Sequence, residues 1–453
     1  MTRDAWATAA AIRDGSLRAV EAVQRSLDRI AEVDDAINAF TVVTADAALE
    51  RAHAVDAGIV RGPMAGVPVS IKDHVWVRGL PATNGSRALA SFVADEDCVC
   101  VARLIAAGAI VVGKTNNPEF CYRGVTTNDL FGTTRNPHNL ERTSGGSSGG
   151  AAASVAAGMV PLAVGTDGGG SIRIPSAFCG TYGLKPTFGL IPKMPGFRGW
   201  PTLSATGPIA SSARDLALAT SVMAGPSPAD PLSYPGPPAD YLAAVADLSL
   251  EGLRIAASSD LGISDVDPDV RAAFAAAVDS LDVSVMWRHP DTEDPTALWD
   301  RIALPEGYAS EGPVLEAHPD LVGHDAAQIV LAGASTSAHQ YLDAQHERAA
   351  FQRSWDEFFE NVDVLLAPAM PTTAFAIGRT APASIDGRPV PASFDAWCAL
   401  ALPANLAGLP AACVPIGMGR DGLPVGLQVI GPRWSDATVL KVAAAIRVTT
   451  PSR

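Results

Sequence analysis

An α/β fold is predicted by three features of this sequence. Residues 98–113, Cys-Val-Cys-Val-Ala-Arg-Leu-Ile-Ala-Ala-Gly-Ala-Ile-Val-Val-Gly, read as an apolar helix that turns at glycine into a strand, the unit from which mainly parallel sheets are built. Short apolar runs bounded by Gly and Pro recur at 66–73, 362–368, 411–416 and 423–432 and read as core strands. Between them, helical spacing is clear, as in Val20, Val23, Leu27 and Ile30.

Composition narrows the class further. Of 453 residues, 48% are hydrophobic and 18% charged, with 41 Gly and 35 Pro, which suits a globular enzyme with a large core and many turns. A net charge of −15 without basic clusters repels phosphate backbones, so no nucleic-acid partner is expected. No run of about 18 apolar residues and no leader-like N-terminus occurs, so no membrane partner is expected and the protein reads as cytoplasmic. The cysteines (Cys98, Cys100, Cys121, Cys179, Cys398, Cys413) include one Cys-x-Cys pair but no Cys-x-x-Cys, which suggests neither a disulfide framework nor zinc. The eight histidines stand apart, so no metal and no cofactor is expected.

Taken in order, residues 1–60 are helical in pattern and form an outer layer. Gly66-Val-Pro-Val-Ser-Ile-Lys-Asp73 is a buried strand that ends in a lysine, and read alone Lys72 is a snorkelling surface residue. After the 98–113 unit come polar loops at 114–120 and 131–139. A helix-compatible run of small residues follows at 151–157, then a turn and strand at 183–191 and a capped helix from Ser211. Residues 225–245 read as loop, and 253–350 are weakly patterned apart from helices near 270–281 and from 337 through 359. The chain is expected to be one domain over 1–453. It divides into an outer layer (1–60), a catalytic core (61–215), a variable helical and loop region (225–360) and a C-terminal part of the core (361–450).

The stretch from Thr143 to Pro175 organises the chemistry. Thr-Ser-Gly-Gly-Ser-Ser-Gly-Gly (143–150) and Val-Gly-Thr-Asp-Gly-Gly-Gly-Ser-Ile-Arg-Ile-Pro (164–175) each present serine among glycines. Rows of glycine expose backbone N–H groups, and Gly168, Gly169 and Gly170 stand where an oxyanion would form if Ser171 attacked a carbonyl. The same stretch twice fits G-x-S-x-G, but a polar loop leads in where a nucleophile elbow needs a core strand.

These residues resemble the amidase signature family, serine hydrolases with a Ser–cis-Ser–Lys triad. The likeness is carried by Gly-Val-Pro-Val-Ser-Ile-Lys-Asp (66–73), Gly-Lys-Thr-Asn-Asn-Pro-Glu-Phe (113–120), Phe-Gly-Thr-Thr-Arg-Asn-Pro (131–137) and the two Gly/Ser stretches. Asn-Leu-Ala-Gly-Leu-Pro (405–410) and Asp-Gly-Leu-Pro-Val-Gly-Leu-Gln-Val-Ile-Gly-Pro (421–432) extend it to the C-terminus.

The resemblance implies an α/β/α sandwich around a large twisted, mostly parallel mixed sheet. It implies Ser171 as nucleophile, Ser147 as the bridging serine after a cis bond from Gly146, and Lys72 as the base, with Ser148, Thr166, Asp167 and Arg173 as supporting network. It reverses the surface reading of Lys72, because a lysine that accepts a proton must be buried enough to be neutral. Cys121 falls at a position of the substrate pocket, and Gly168 stands where a larger residue is usual, which suggests a looser turn or a wider pocket.

The implied activity is hydrolysis of C–N bonds in small amides through a seryl acyl-enzyme, without a cofactor, by a monomer or homodimer. If Met194, Phe197, Trp200 and Leu203 line the mouth, apolar or aryl amides are favoured, with side activity on aryl esters and carbamates. The alternative within the same family is the amidase component of a tRNA-dependent amidotransferase.

Overall fold

The structure is a computed structural model and describes residues 4–391 and 395–447. Its centre is an eleven-stranded sheet. The strands are β1 (Phe40–Val43), β2 (Pro68–Lys72), β3 (Ile110–Thr115), β4 (Leu162–Asp167), β5 (Tyr182–Lys185), β6 (Ala205–Ala210), β7 (Ile255–Ala257), β8 (Val285–Trp287), β9 (Val364–Pro368), β10 (Ala411–Met418) and β11 (Pro424–Ile430). Their spatial order is β1-β3-β2-β4-β6-β5-β10-β11-β9-β7-β8.

The expected α/β architecture and mixed sheet are borne out, but parallel pairing is confined to the flanks. β3-β2-β4 and β9-β7-β8 are parallel, while β1 and every pairing from β4 through β9 across the centre are antiparallel. The sequence unit that suggested a parallel sheet recurs only where a helix crosses over between strands. The centre is instead closed by the β10–β11 hairpin and by the loop between β5 and β6, which return the chain antiparallel.

The helices follow from their sequences. α1 (Ala5–Arg13), α2 (Ala19–Ile37) and α3 (Ala45–Asp56) come first, with Val23, Leu27 and Ile30 of α2 buried. The helical pattern of 1–60 concealed β1, a four-residue edge strand between two helices. α4 (Val99–Ala106) and α5 (Gly149–Ala156) are the crossovers on either side of β3. α6 (Arg173–Cys179) follows β4, and Ser212 caps α7 (Ala213–Met223) by accepting the N–H of Asp215. α8 (Tyr241–Ala246) takes up the end of the expected 225–245 loop, and α9 (Pro268–Asp279) joins β7 to β8.

Between β8 and β9 stand α10 (Thr296–Ala317), α11 (His324–Ala332) and α12 (Ala338–Phe359), the last opened by a Ser337/Gln340 capping box. The weak pattern of this region has a physical cause in α10, which carries Pro305 and Pro313 inside it. Short α13 (Asp395–Cys398) and α14 (Leu402–Leu406) precede β10, and α15 (Asp436–Ala445) ends the fold.

α5 shows why small residues were needed. A Cβ at Gly150 would meet Ala39 O and Asn116 N at 2.5 Å, and one at Gly149 would meet Thr126 Oγ1 at 2.3 Å. The Gly/Ala helix therefore lies against backbone on one side and the sheet on the other. Its first turn begins just after Ser147 and Ser148, which places both serines beside the ends of β2 and β4. Crevices at strand C-termini are where open α/β sheets bind ligands.

Candidate active site

Lys72 ends β2 and is fully buried. Its Nζ donates to Ser147 Oγ at 2.6 Å and to Thr166 Oγ1 at 2.8 Å. Burial holds the ammonium below the ordinary lysine range, against an upward pull from Cys121, Asp167 and Asp73. Lys114 and Lys185 are also fully buried, yet Lys114 donates to the carbonyls of Asp73 and Pro81, and Lys185 to that of Pro186. Among these three lysines, Lys72 is the one aimed at serine and threonine hydroxyls.

The Gly146–Ser147 peptide bond is cis. Ser148 links the two Gly/Ser turns: its N–H donates to Ser171 O at 3.1 Å, its Oγ donates to Thr166 O at 3.2 Å, and it accepts Thr166 N–H at 3.3 Å. Ser171 is 4% exposed, directly after Gly168, Gly169 and Gly170.

The turn before Ser171 is shaped by Asp167. Its Oδ1 accepts Gly170 N–H at 2.7 Å and its Oδ2 accepts Ile172 N–H at 3.2 Å. Arg173 clamps the same carboxylate through Nε at 3.0 Å and Nη2 at 3.1 Å. Burial alone would raise the Asp167 carboxyl, but the Arg173 guanidinium reverses this and holds it well below the usual range. Arg173 also reaches Ala401 O, Asn405 Oδ1 and Gln428 Oε1, and Asn405 Nδ2 donates back to Asp167 O at 2.9 Å. The oxyanion expectation changes at one position. Gly170 N–H, one of the three expected donors, is held by Asp167.

The expectation of a looser turn or wider pocket at Gly168 is overturned. A Cβ there would lie 2.4 Å from Trp200 Cε3, so the indole occupies the space that a side chain would take. Trp200 stacks on Tyr122, with centroids 5.3 Å apart, and meets Trp299 edge-on at 5.0 Å. Trp299 Nε1 donates to Gly168 O at 3.1 Å. Behind this wall Tyr122 O–H donates to buried Glu311, whose carboxyl burial pushes up to about 8.

Of the four apolar residues expected at a mouth, Trp200 is the one packed against the turn. Phe197 packs with His74, Trp76 and Phe92. Leu203 is buried in the core, and Met194 precedes a cis proline, Pro195. Cys121 takes a left-handed φ of 65° and has Lys72 and Ser147 as electrostatic neighbours. Its S–H donates to Asn84 Oδ1 at 3.4 Å, and His74 Nδ1 lies 3.0 Å from the same oxygen. Burial lowers His74 to about 4, so its ring is neutral and Nδ1 is the donor.

Sequence reading singled out neither Asn84, Tyr122, Trp299, Glu311 nor Gln428. Asn405 and Gln428 stand inside quoted motifs, which was the available signal. Tyr122 and Trp299 are ordinary aromatic residues until the fold brings them together.

A family profile described as Amidase matches residues 21–440. An acylamidase of Rhodococcus erythropolis is 38% identical, the match covering 98% of this chain and 94% of that protein. The glutamyl-tRNA(Gln) amidotransferase A-subunit of Chloroflexus aggregans is 37% identical over 97% of this chain and 95% of its own. Among solved structures, a bacterial aryl acylamidase of the amidase signature enzymes superimposes with a TM-score of 0.89 at 30% identity, covering 97% of this chain and 94% of that one. The corresponding amidotransferase protein from Thermotoga maritima gives 0.77, also at 30%, covering 96% and 92%.

Proposed function

This chain belongs to the amidase signature family, and from that premise we propose that it hydrolyses small apolar or aryl amides through an acyl-enzyme on Ser171. It is an amidase acting on carbon–nitrogen bonds other than peptide bonds. The observation that carries the mechanism is the 2.6 Å contact from buried Lys72 Nζ to Ser147 Oγ.

In the proposed cycle neutral Lys72 takes the Ser147 proton as Ser147 takes that of Ser171, and Ser171 Oγ bonds to the amide carbon. The N–H groups of Gly168, Gly169 and Ser171 receive the oxyanion, each donor contributing about 3 kcal/mol to the transition state. The relayed proton passes back to the leaving nitrogen as the C–N bond breaks, and water then resolves the ester through the same groups. Thr166, Ser148, Asp167 and Arg173 hold the turns in place, and Cys121 borders the pocket.

Support for the aryl preference comes from Tyr122, Trp200 and Trp299, which form an aromatic wall on the turn before Ser171. Aryl esters and carbamates fit the same acyl-enzyme route. A panel of p-nitroanilides, p-nitrophenyl esters, aryl carbamates and small aliphatic amides, compared as kcat/KM, tests this reading. Aryl amides are expected to exceed aliphatic ones, and preference for acetamide over every aryl substrate would overturn the aryl assignment.

The second reading, the amidase component of an amidotransferase, is favoured by the 37% identity to the Chloroflexus aggregans protein. The stand-alone reading is supported by the closer superposition on the aryl acylamidase, 0.89 against 0.77 at equal identity. Size-exclusion with and without tRNA separates the two. Co-elution with tRNA, or turnover that needs a second protein, would reverse the preference.

A further inference from the structure

Cys98 and Cys100 bring their sulfurs within 3.3 Å of each other, both as free, buried thiols. Cys98 is the N-cap of α4, and its side chain lines a narrow cleft shared with His74, Trp76, Thr166, Lys193 and Phe197. Thr166 is the residue whose hydroxyl accepts from Lys72, so this cleft connects Cys98, the member of the pair that lines it, with the back of the candidate active site. We propose that Cys98 and Cys100 are a redox-active dithiol, closed to a disulfide by hydrogen peroxide entering through this cleft.

The chemistry balances without a further reactant. Cys98 Sγ attacks one peroxide oxygen, the O–O bond breaks, and a sulfenic acid and water form. Cys100 Sγ then displaces the sulfenic oxygen as a second water, leaving one S–S bond. Two thiols are oxidised and one peroxide is reduced. A thiol at a helix N-terminus next to a hydrogen-bonding partner favours the thiolate, the attacking form. The hydrogen bond with Cys100 lowers the Cys98 thiol from its ordinary range, against the opposing effect of burial.

The pair sits where two functional segments join. Cys98 N–H donates to Trp76 O at 3.1 Å, tying α4 to the chain that leaves β2 after Lys72. Val99 N–H donates to Met194 O at 3.1 Å, and the Cys98 S–H points to Pro192 O at 3.9 Å, in the segment that delivers Trp200. Closing the disulfide removes that S–H donor and shortens the sulfur–sulfur separation from 3.3 Å to about 2.05 Å. Activity should therefore fall on oxidation and return on reduction.

The test treats the purified chain with hydrogen peroxide, alkylates the remaining thiols with iodoacetamide and maps them by mass spectrometry. The expected result is a chain lighter by about 2 Da before alkylation, with four of the six thiols still free and the missing pair in the 98–100 peptide. Dithiothreitol should restore all six and the activity. Cys100→Ser should form no intramolecular bond and should stop at a Cys98 sulfenic acid, seen as a chain about 16 Da heavier in place of one about 2 Da lighter. Six free thiols after peroxide, or oxidation confined to Cys121, would overturn the proposal. Mass and thiol count are independent of turnover, so they separate a failure of this proposal from a failure of the amidase reading.

Discussion

Trp200 stands in the place of a side chain at residue 168, its Cε3 2.4 Å from where a Gly168 Cβ would be. Gly168→Ala should therefore push the indole off the turn and lower kcat/KM by about 10- to 100-fold, or ~1.4–2.7 kcal/mol. Adding Trp200→Ala should recover part of that loss. Single- and double-mutant kinetics on one aryl substrate check this, and no recovery in the double variant would show that the clash is not the cause.

Ser171→Ala should reduce kcat by about 10⁴-fold or more, since it removes the covalent step. Its melting temperature should stay near that of the wild type, because one hydroxyl is deleted and no cavity of consequence results. A fluorophosphonate probe should label the wild type at Ser171, and label found on Ser147 or Ser148 would refute the assignment.

Lys72→Ala should lower kcat far more than it raises KM, as expected for a group acting mainly in the transition state. Burial lowers the Lys72 ammonium, so its neutral, proton-accepting form grows as pH rises through the folded-state value. In the wild type kcat should climb toward alkaline pH, and the variant should lose that slope. A flat wild-type profile between about pH 6 and 9 would exclude a titrating lysine.

Asp167→Ala should destabilise the fold by about 3–5 kcal/mol, because it leaves the fully buried Arg173 guanidinium without its carboxylate. The wild-type pair should hold well into acid. A carboxyl depressed in the folded state stabilises above its ordinary value of 3.8 and loses that contribution only as pH falls through the lower folded value. Urea unfolding of both proteins at pH 7 measures the difference, and a change under about 1 kcal/mol would contradict the role of the pair.

Glu311 gives the opposite sign. Its carboxyl rises from an ordinary 4.5 to about 8 on burial, so its contribution to stability is fully present below pH 4.5 and is lost as pH passes through about 8. Glu311→Gln keeps a neutral acceptor for Tyr122 and removes the titration. The variant should match the wild type in melting temperature at pH 5 and exceed it at pH 9. Equal values at both pH values would show that Glu311 does not take up the charge.

The strands at 68–72, 110–115, 364–368, 411–418 and 424–430 were legible because each is an apolar run between breakers, and α12 because Ser337 and Gln340 announce its start. β1 and α10 were not, one being four residues between helices and the other a helix interrupted by two prolines. Motif residues of the site could be named from sequence, since Lys72, Ser147 and Ser171 lie in continuous stretches. The environment of Gly168 could not, because Trp200 and Trp299 reach it from elsewhere in the chain and no local pattern records that approach.

The Arg173 guanidinium is held by Ala401, Asn405 and Gln428, which lie 228, 232 and 255 positions further along the chain. Those groups are made more than two hundred residues after Arg173 itself. A nascent polypeptide thus carries Lys72, Ser147 and Ser171 long before it carries the partners that fix the turn between Asp167 and Arg173. During translation the turn between Asp167 and Arg173 stays without these braces until β11, which carries Gln428, has been made.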